Sequence, residues 1–460
     1  MDSRYEVLND AAGLAQGFVG TLPERRVGPR ADLAELRDRL AVPLGDAGED
    51  PRAVIEALAR DVEPGLVASA GPRYFGFVIG GALPVAVAAD WLTSAWDQNG
   101  GGYVVAPALS VAEEVAADWV GELLGLPAGS GIGFVTGCQM AHFTCLAAAR
   151  HAVLRDAGWD VEADGLQGGP TVRVIAGEQA HVTVGVACRM LGLGYDRVRA
   201  VGTDDQGRML IDELEAALGE EDRPTIVCAQ AGELNTGAFD PIAPIVDACR
   251  EAGAWCHIDG AFGLWAAASP TRRGLLDGYE RADSWATDGH KWLNVPYDCG
   301  IAVVADAPAH RAAMTSTSPY IPAHDEDIPW GFDWTPEFSR RARGLPVYAA
   351  LRSLGRDGVA AIVDGCCDHA QRMASTLAAA DGVEVLNDVV LNQVLVRFDV
   401  SDEATEAAIE RVQRDGTCWL GGSSFRGRAV MRISIVCWQT TADDVDRSAE
   451  AILRAAGPAA

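Results

Sequence analysis

Of the 37 basic side chains in this sequence one is a lysine, Lys291, and the other 36 are arginines. The two cations differ in chemistry. Guanidinium stays protonated, whereas a lysine amine shifts its pKa readily when buried, attacks carbonyls and forms Schiff bases. Lys291 sits in Asp288-Gly289-His290-Lys291-Trp292-Leu293, a setting unlike a solvated surface stretch. Two readings are open: an amine kept for an aldehyde, or a survivor of strong arginine-for-lysine coding bias. Asp259 bears on the choice. It stands thirty-two residues upstream, in His257-Ile258-Asp259-Gly260-Ala261-Phe262-Gly263. Alone it reads as a helix N-cap after a strand. Paired with Lys291, it offers a carboxylate to a cationic ring nitrogen.

An amine for the aldehyde and a carboxylate for the ring are two requirements of pyridoxal phosphate, whose protonated ring acts as an electron sink. The third is a phosphate cradle. Gly133-Phe-Val-Thr-Gly-Cys-Gln-Met-Ala-His142 reads as a strand, a glycine turn and a helix start. Free amides and the helix dipole bind phosphate at such a turn, with Gly137, Cys138 and Gln139 as candidate contacts. The spacing is not G-x-G-x-x-G, so a dinucleotide site is unsupported. His181 follows a predicted strand and is a candidate to stack on the ring, against the plainer reading of a structural histidine. Tyr320, in Ser318-Pro319-Tyr320-Ile321, is either a packing aromatic or a general acid carried by a closing loop. His142, His181, His257 and His290 lack metal-site spacing such as HExxH, and no metal is expected.

These residues need a scaffold that gathers distant segments. Short apolar runs at 133–136, 172–176, 225–230, 254–259, 284–287 and 300–304 alternate with helical patterns at 141–154, 184–191 and 242–251. That alternation predicts a mostly parallel sheet covered on both faces, with ligands bound outside the carboxyl ends of its strands. Residues 1–70 read as an amphipathic helical segment, 71–345 as the large α/β domain and 346–460 as a small α+β domain with strands at 389–398 and 429–436. Residues 305–345 hold several prolines and an acidic cluster, and read as a functional loop.

A net charge of −28 argues against nucleic acid or an anionic membrane as partner. The opening residues lack the pattern of a secretion signal, and the 11 cysteines include no CxxC. The expectation is a cytoplasmic enzyme with free thiols.

At these residues the chain resembles the group II pyridoxal-phosphate decarboxylases, the family of aromatic amino-acid, glutamate and diaminobutyrate decarboxylases. The resemblance runs through Pro72-Arg-Tyr-Phe-Gly-Phe-Val, Asn235-Thr-Gly-Ala-Phe-Asp240, His257–Gly263, Ala282-Asp-Ser-Trp-Ala-Thr-Asp-Gly-His-Lys-Trp-Leu293 and Met431-Arg-Ile-Ser-Ile-Val436. It implies fold type I, the aspartate-aminotransferase-like fold, as an interlocked homodimer with shared active sites. Carried over by position, Lys291 would form the internal aldimine, Asp259 would face the pyridine nitrogen, and His181 and Ala261 would pack on the two ring faces. Gly137, Cys138, Gln139 and His290 would hold the phosphate. Glu233 falls where many relatives have a threonine that contacts the cofactor, and Tyr320 where they carry the tyrosine that protonates the carbanion.

The expected reaction is decarboxylation of an aromatic L-amino acid to its amine. Carbon–carbon lyase and aldehyde-forming oxidative reactions are the alternatives, and a silent scaffold is the reading from another class. The chain departs from the family pattern at the Gly-Cys-Gln-Met-Ala-His cradle, at Glu233 and at Gly289, which marks a divergent branch.

Overall fold

The computed structural model describes residues 3–221, 223–315, 328 and 330–457. Seven strands form the main sheet: β1 (Gly131–Val135), β2 (Arg173–Gly177), β3 (Arg199–Val201), β4 (Thr225–Gln230), β5 (Trp255–Asp259), β6 (Ser284–Asp288) and β7 (Gly300–Val304). Their spatial order is β1-β7-β6-β5-β4-β2-β3. All run parallel except β7, which is antiparallel to both β1 and β6.

Strand side chains alternate between two cores because successive residues point to opposite faces. Val174, Ala176, Ile226 and Cys228 join the helices Cys138–Asp156 and Val182–Met190 in one core. Ile175, Val227, Ala229 and Ile258 face a larger core with the helices Ile211–Gly219, Ile242–Glu251 and Gly344–Ala378. The sheet is thus buried on both sides, as the continuous apolar runs require.

A second sheet lies later in the chain: β8 (Val383–Val385), β9 (Gln393–Phe398), β10 (Gly421–Phe425) and β11 (Arg428–Ser434), all antiparallel in the order β10-β11-β9-β8. The expected strand at 389–398 is shorter, since Val389 and Val390 belong to the preceding turn. The helix Gly344–Ala378 links the two sheets and is interrupted at Gly355, whose φ of 61° suits glycine.

The N-terminal helices Glu6–Thr21, Leu33–Leu40 and Pro51–Val62 contribute no buried residue. Leu8, Leu14, Leu33 and Leu58 are exposed along them. Among the described residues no helix is long and apolar enough to cross a membrane.

Candidate active site

Because β1, β5 and β6 run parallel, the turn after Val135, Asp259 and Asp288 meet at one edge of the sheet. Gly300, the first residue of β7, pairs with both Val135 and Asp288 and so pins the cradle turn beside Asp288. A Cβ on Gly300 would lie 2.4 Å from the Gly137 carbonyl carbon, so only glycine fits. A Cβ on Gly137 itself would come within 3.3 Å of His290 Cε1, which leaves this turn no spare volume.

Lys291 lies beyond β6, and its Nζ is 3.0 Å from Asp288 Oδ2. Burial alone would lower its pKa, but the carboxylates of Asp288 and Asp259 outweigh that and hold it above the usual lysine range. The other Asp288 oxygen accepts from the Cys138 amide at 2.6 Å. An anion thus already sits at the start of the helix Cys138–Asp156, where the dipole favours it. The Cys138 amide therefore already has Asp288 as its partner, and its thiol is pushed well up by burial with Asp288 and Asp259 nearby. Gln139 is exposed at the same helix start.

Asp259 closes β5 and is 6% exposed. Its Oδ1 accepts from Ala261 N at 3.1 Å, and its Oδ2 lies 3.4 Å from His142 Nε2. Burial opposes ionisation here, yet the His142 and His181 rings and the Ala261 amide hold the carboxyl well below the usual range. Cys138, His142 and Asp259 bring their donor atoms within 4.8 Å of one another, a grouping that sequence spacing did not foretell.

His181 caps the helix Val182–Met190, with Nδ1 2.7 Å from Thr183 Oγ1. Burial pushes its pKa down; Asp259 opposes this, while Lys291, His142 and Arg432 add to it. His181 is therefore electrostatically coupled to the whole cluster. His290 accepts from Cys299 N at 3.1 Å and stacks on Tyr297 with ring centroids 4.2 Å apart.

Glu233, expected at the cofactor, is bonded within its own turn. Its carboxylate folds back on its own turn and accepts from the amides of Asn235 and Thr236 at 2.7 Å each. Tyr320 lies outside the described residues.

Sequence reasoning missed Asp288, His142 and Arg432. Arg432, on β11, is 7% exposed, and its Nη1 reaches the Leu234 carbonyl at 3.4 Å. Burial lowers its pKa, and nearby Glu233 offsets part of that. The stretch ahead of β1 also reaches the site: a Cβ on Gly80 would overlap the Lys291 carbonyl oxygen at 1.9 Å. Just upstream, Phe77 and Val78 hold positive φ angles of 54° and 57°, strained for non-glycine residues. Tyr74 stacks on Trp419 at 5.0 Å, and Phe77 lies 5.6 Å from the same indole.

An amine, an ionised carboxylate at the neighbouring strand end and an anion-holding helix start are the donor set that pyridoxal phosphate requires. The fold and this edge define a fold type I pyridoxal phosphate enzyme. Residues 34–399 match the pyridoxal-dependent decarboxylase conserved domain, and the chain belongs to that family. It is a pyridoxal 5'-phosphate-dependent amino-acid decarboxylase.

Its relatives span several substrates. The chain is 26% identical over 450 residues to an aromatic-L-amino-acid decarboxylase of Bacillus atrophaeus, covering 95% of this chain and 92% of the relative. It is 27% identical to human cysteine sulfinic acid decarboxylase, covering 80% and 75% respectively. The structure of Oryza sativa TDC with PLP and tryptamine matches with a TM-score of 0.92 at 24% identity, over 99% of this chain and 98% of that one. Mouse CSAD gives 0.91 at 24% identity, over 99% of each chain. These two likenesses speak for the fold.

Proposed function

We propose that the substrate is an aromatic L-amino acid, that the product is its amine, and that Lys291, Asp259, His181 and Arg432 carry the reaction. The observation that carries this reading is the meeting of Lys291 and Asp259 at adjoining strand ends, with Lys291 Nζ 3.0 Å from Asp288 Oδ2 and the Asp259 carboxylate 3.4 Å from His142. Pyridoxal phosphate supplies the electron sink for the pair left behind when carbon dioxide departs. Lys291 is the amine that holds the aldehyde carbon, and Asp288, 3.0 Å away, is positioned to take and return its proton. Asp259 keeps a negative charge against the ring nitrogen. Gly137, Cys138, Gln139 and His290 would hold the phosphate, and Ala261 would pack against the ring.

Arg432 is the anchor for the substrate's anionic group, because it is buried and within electrostatic range of His181. His181 or Tyr320 supplies the proton to Cα. Tyr74, Phe77 and Trp419 favour an aromatic side chain, since they cluster on and beside the segment that leads to Gly80 and the Lys291 backbone. Relatives named for aromatic substrates point the same way.

The enzyme acts in the cytoplasm as a homodimer whose N-terminal segment, residues 1–70, packs on the second copy. The exposed leucines of its three helices support this. A boundary near 70 would set the N-terminal helices apart from the seven-stranded sheet, and one near 345 would part that sheet from the four-stranded one.

Incubation with each natural amino acid, followed by product analysis, tests the reaction. Amine and carbon dioxide from tryptophan, tyrosine or phenylalanine, at the highest rates, are expected. Aldehyde with ammonia and peroxide, or faster turnover of acidic substrates, would contradict it.

A further inference from the structure

Behind Asp259 runs a file of buried polar side chains for which the reaction above has no use. Trp255 Nε1 donates to Ser284 Oγ at 2.9 Å. Ser284 Oγ lies 2.9 Å from His257 Nδ1, and His257 Nε2 lies 2.9 Å from His142 Nδ1. His142 Nε2 completes the file, 3.4 Å from Asp259 Oδ2. Ser284, His257 and His142 are wholly buried, and the two imidazoles meet edge to face. The file joins β5, β6 and the helix that begins at the cradle.

Its polarity follows from the two ends. An ionised carboxylate only accepts, so His142 presents Nε2–H to Asp259, and in a neutral ring Nδ1 must then accept. His257 therefore donates from Nε2 and accepts at Nδ1 from the Ser284 hydroxyl. The Ser284 oxygen accepts in turn from the indole, which can only donate. With the His142 ring neutral every link points toward Asp259; with it protonated, Nδ1 donates to His257 instead, and in both cases Nε2–H faces the carboxylate. Burial holds His257 down at about 3, so its ring stays neutral and relays one hydrogen bond between His142 and Ser284.

Two adjacent buried imidazoles are costly unless they serve a partner, and apolar residues would fill the space more cheaply. The partner here is a buried carboxylate that desolvation pushes toward its neutral form. The Ala261 amide and the Cys138 thiol, 3.9 Å from Oδ1, are its other donors.

We propose that His142 and His257 are positioning residues that keep the Asp259 carboxylate ionised and fixed, and so govern how fully the ring nitrogen of bound pyridoxal phosphate is protonated. The inference rests on the reading of Asp259 as the partner of that nitrogen.

The test uses the full chain loaded with pyridoxal phosphate carrying 15N in the ring, without substrate. Wild type, His142→Ala, His142→Gln and Ser284→Ala are compared by 15N NMR, and cofactor affinity is titrated by visible absorption. His142→Ala is expected to move the ring-nitrogen resonance toward the unprotonated position and to weaken cofactor binding about tenfold, the order of loss when an outer-shell partner is removed. His142→Gln keeps a donor within reach of Asp259 and restores most of the shift. Ser284→Ala, at the far end, gives a smaller shift in the same direction.

Wild-type resonance and affinity in His142→Ala would overturn the proposal, whatever the melting temperature does. If that variant does not fold, an unmoved resonance in both His142→Gln and Ser284→Ala overturns it instead. The parent reading fails in a different way, by absence of the Lys291-bound cofactor band in wild type.

Discussion

At the residue scale the chemistry of the site is set by which group holds the Lys291 proton. The amine must be neutral to attack an aldehyde, yet Asp288 and Asp259 keep its pKa above the ordinary lysine value. Below that pKa the neutral fraction grows tenfold per pH unit. The rate at which pyridoxal phosphate adds to the cofactor-free protein is therefore expected to keep rising through pH 10. In Asp288→Asn the rise should begin at lower pH, with a gain of about tenfold at pH 7 for each pKa unit removed. Stopped-flow absorbance measures this, and identical pH profiles for the two proteins would refute the assignment. Lys291 and Asp259 were legible in the sequence because their types are rare or well placed. Asp288 was not singled out, although it lies three residues from Lys291, because a carboxylate there has a plain reading as the end of a strand. Arg432 and His142 were hidden for another reason: their partners lie more than a hundred residues away along the chain.

At the level of elements, the cradle depends on how tightly β7 presses the turn after β1. Gly300→Ala would drive a Cβ into the Gly137 backbone, where no flexible side chain can yield. Overpacking of this kind costs about 1–3 kcal/mol, and it should also weaken cofactor binding because the displaced atoms belong to the cradle. Urea unfolding of the cofactor-free variant would detect the first effect, and a wild-type midpoint would count against the packing argument.

The sequence showed the strands of the parallel core well, since fully buried strands are continuous apolar runs. It gave no sign that β7 runs backward, because strand composition carries no direction. β3 was missed as a three-residue edge strand with two exposed positions. The three N-terminal helices were recognisable from their amphipathic pattern, but not their lack of any buried residue within one chain.

Across the whole molecule, buried histidines should make the fold sensitive to acid. His257 is held at about 3 and His310 at about 4, both by burial, against an ordinary value of 6.5. Their pKa values are lower in the folded state, so the stabilisation is present above pH 6.5 and is lost as pH falls toward 4. At about 1.4 kcal/mol per pH unit, each loses about 2 kcal/mol by pH 5. Asp240, raised by burial to about 6, works the other way and returns about 1 kcal/mol over the same interval. A net loss of about 3 kcal/mol should appear as a lower melting temperature at pH 5 than at pH 7.5. Higher stability at pH 5 would contradict it.

The central claim is that this decarboxylase holds its cofactor through Lys291. Because no other lysine is present in the 460 residues, the claim can be tested at one atom. The protein would be loaded with pyridoxal phosphate, reduced with borohydride, digested and examined by mass spectrometry. The account predicts a single phosphopyridoxyl adduct, on the peptide that contains His290-Lys291-Trp292. An unmodified Lys291 peptide, or an adduct found only elsewhere in the chain, would contradict it.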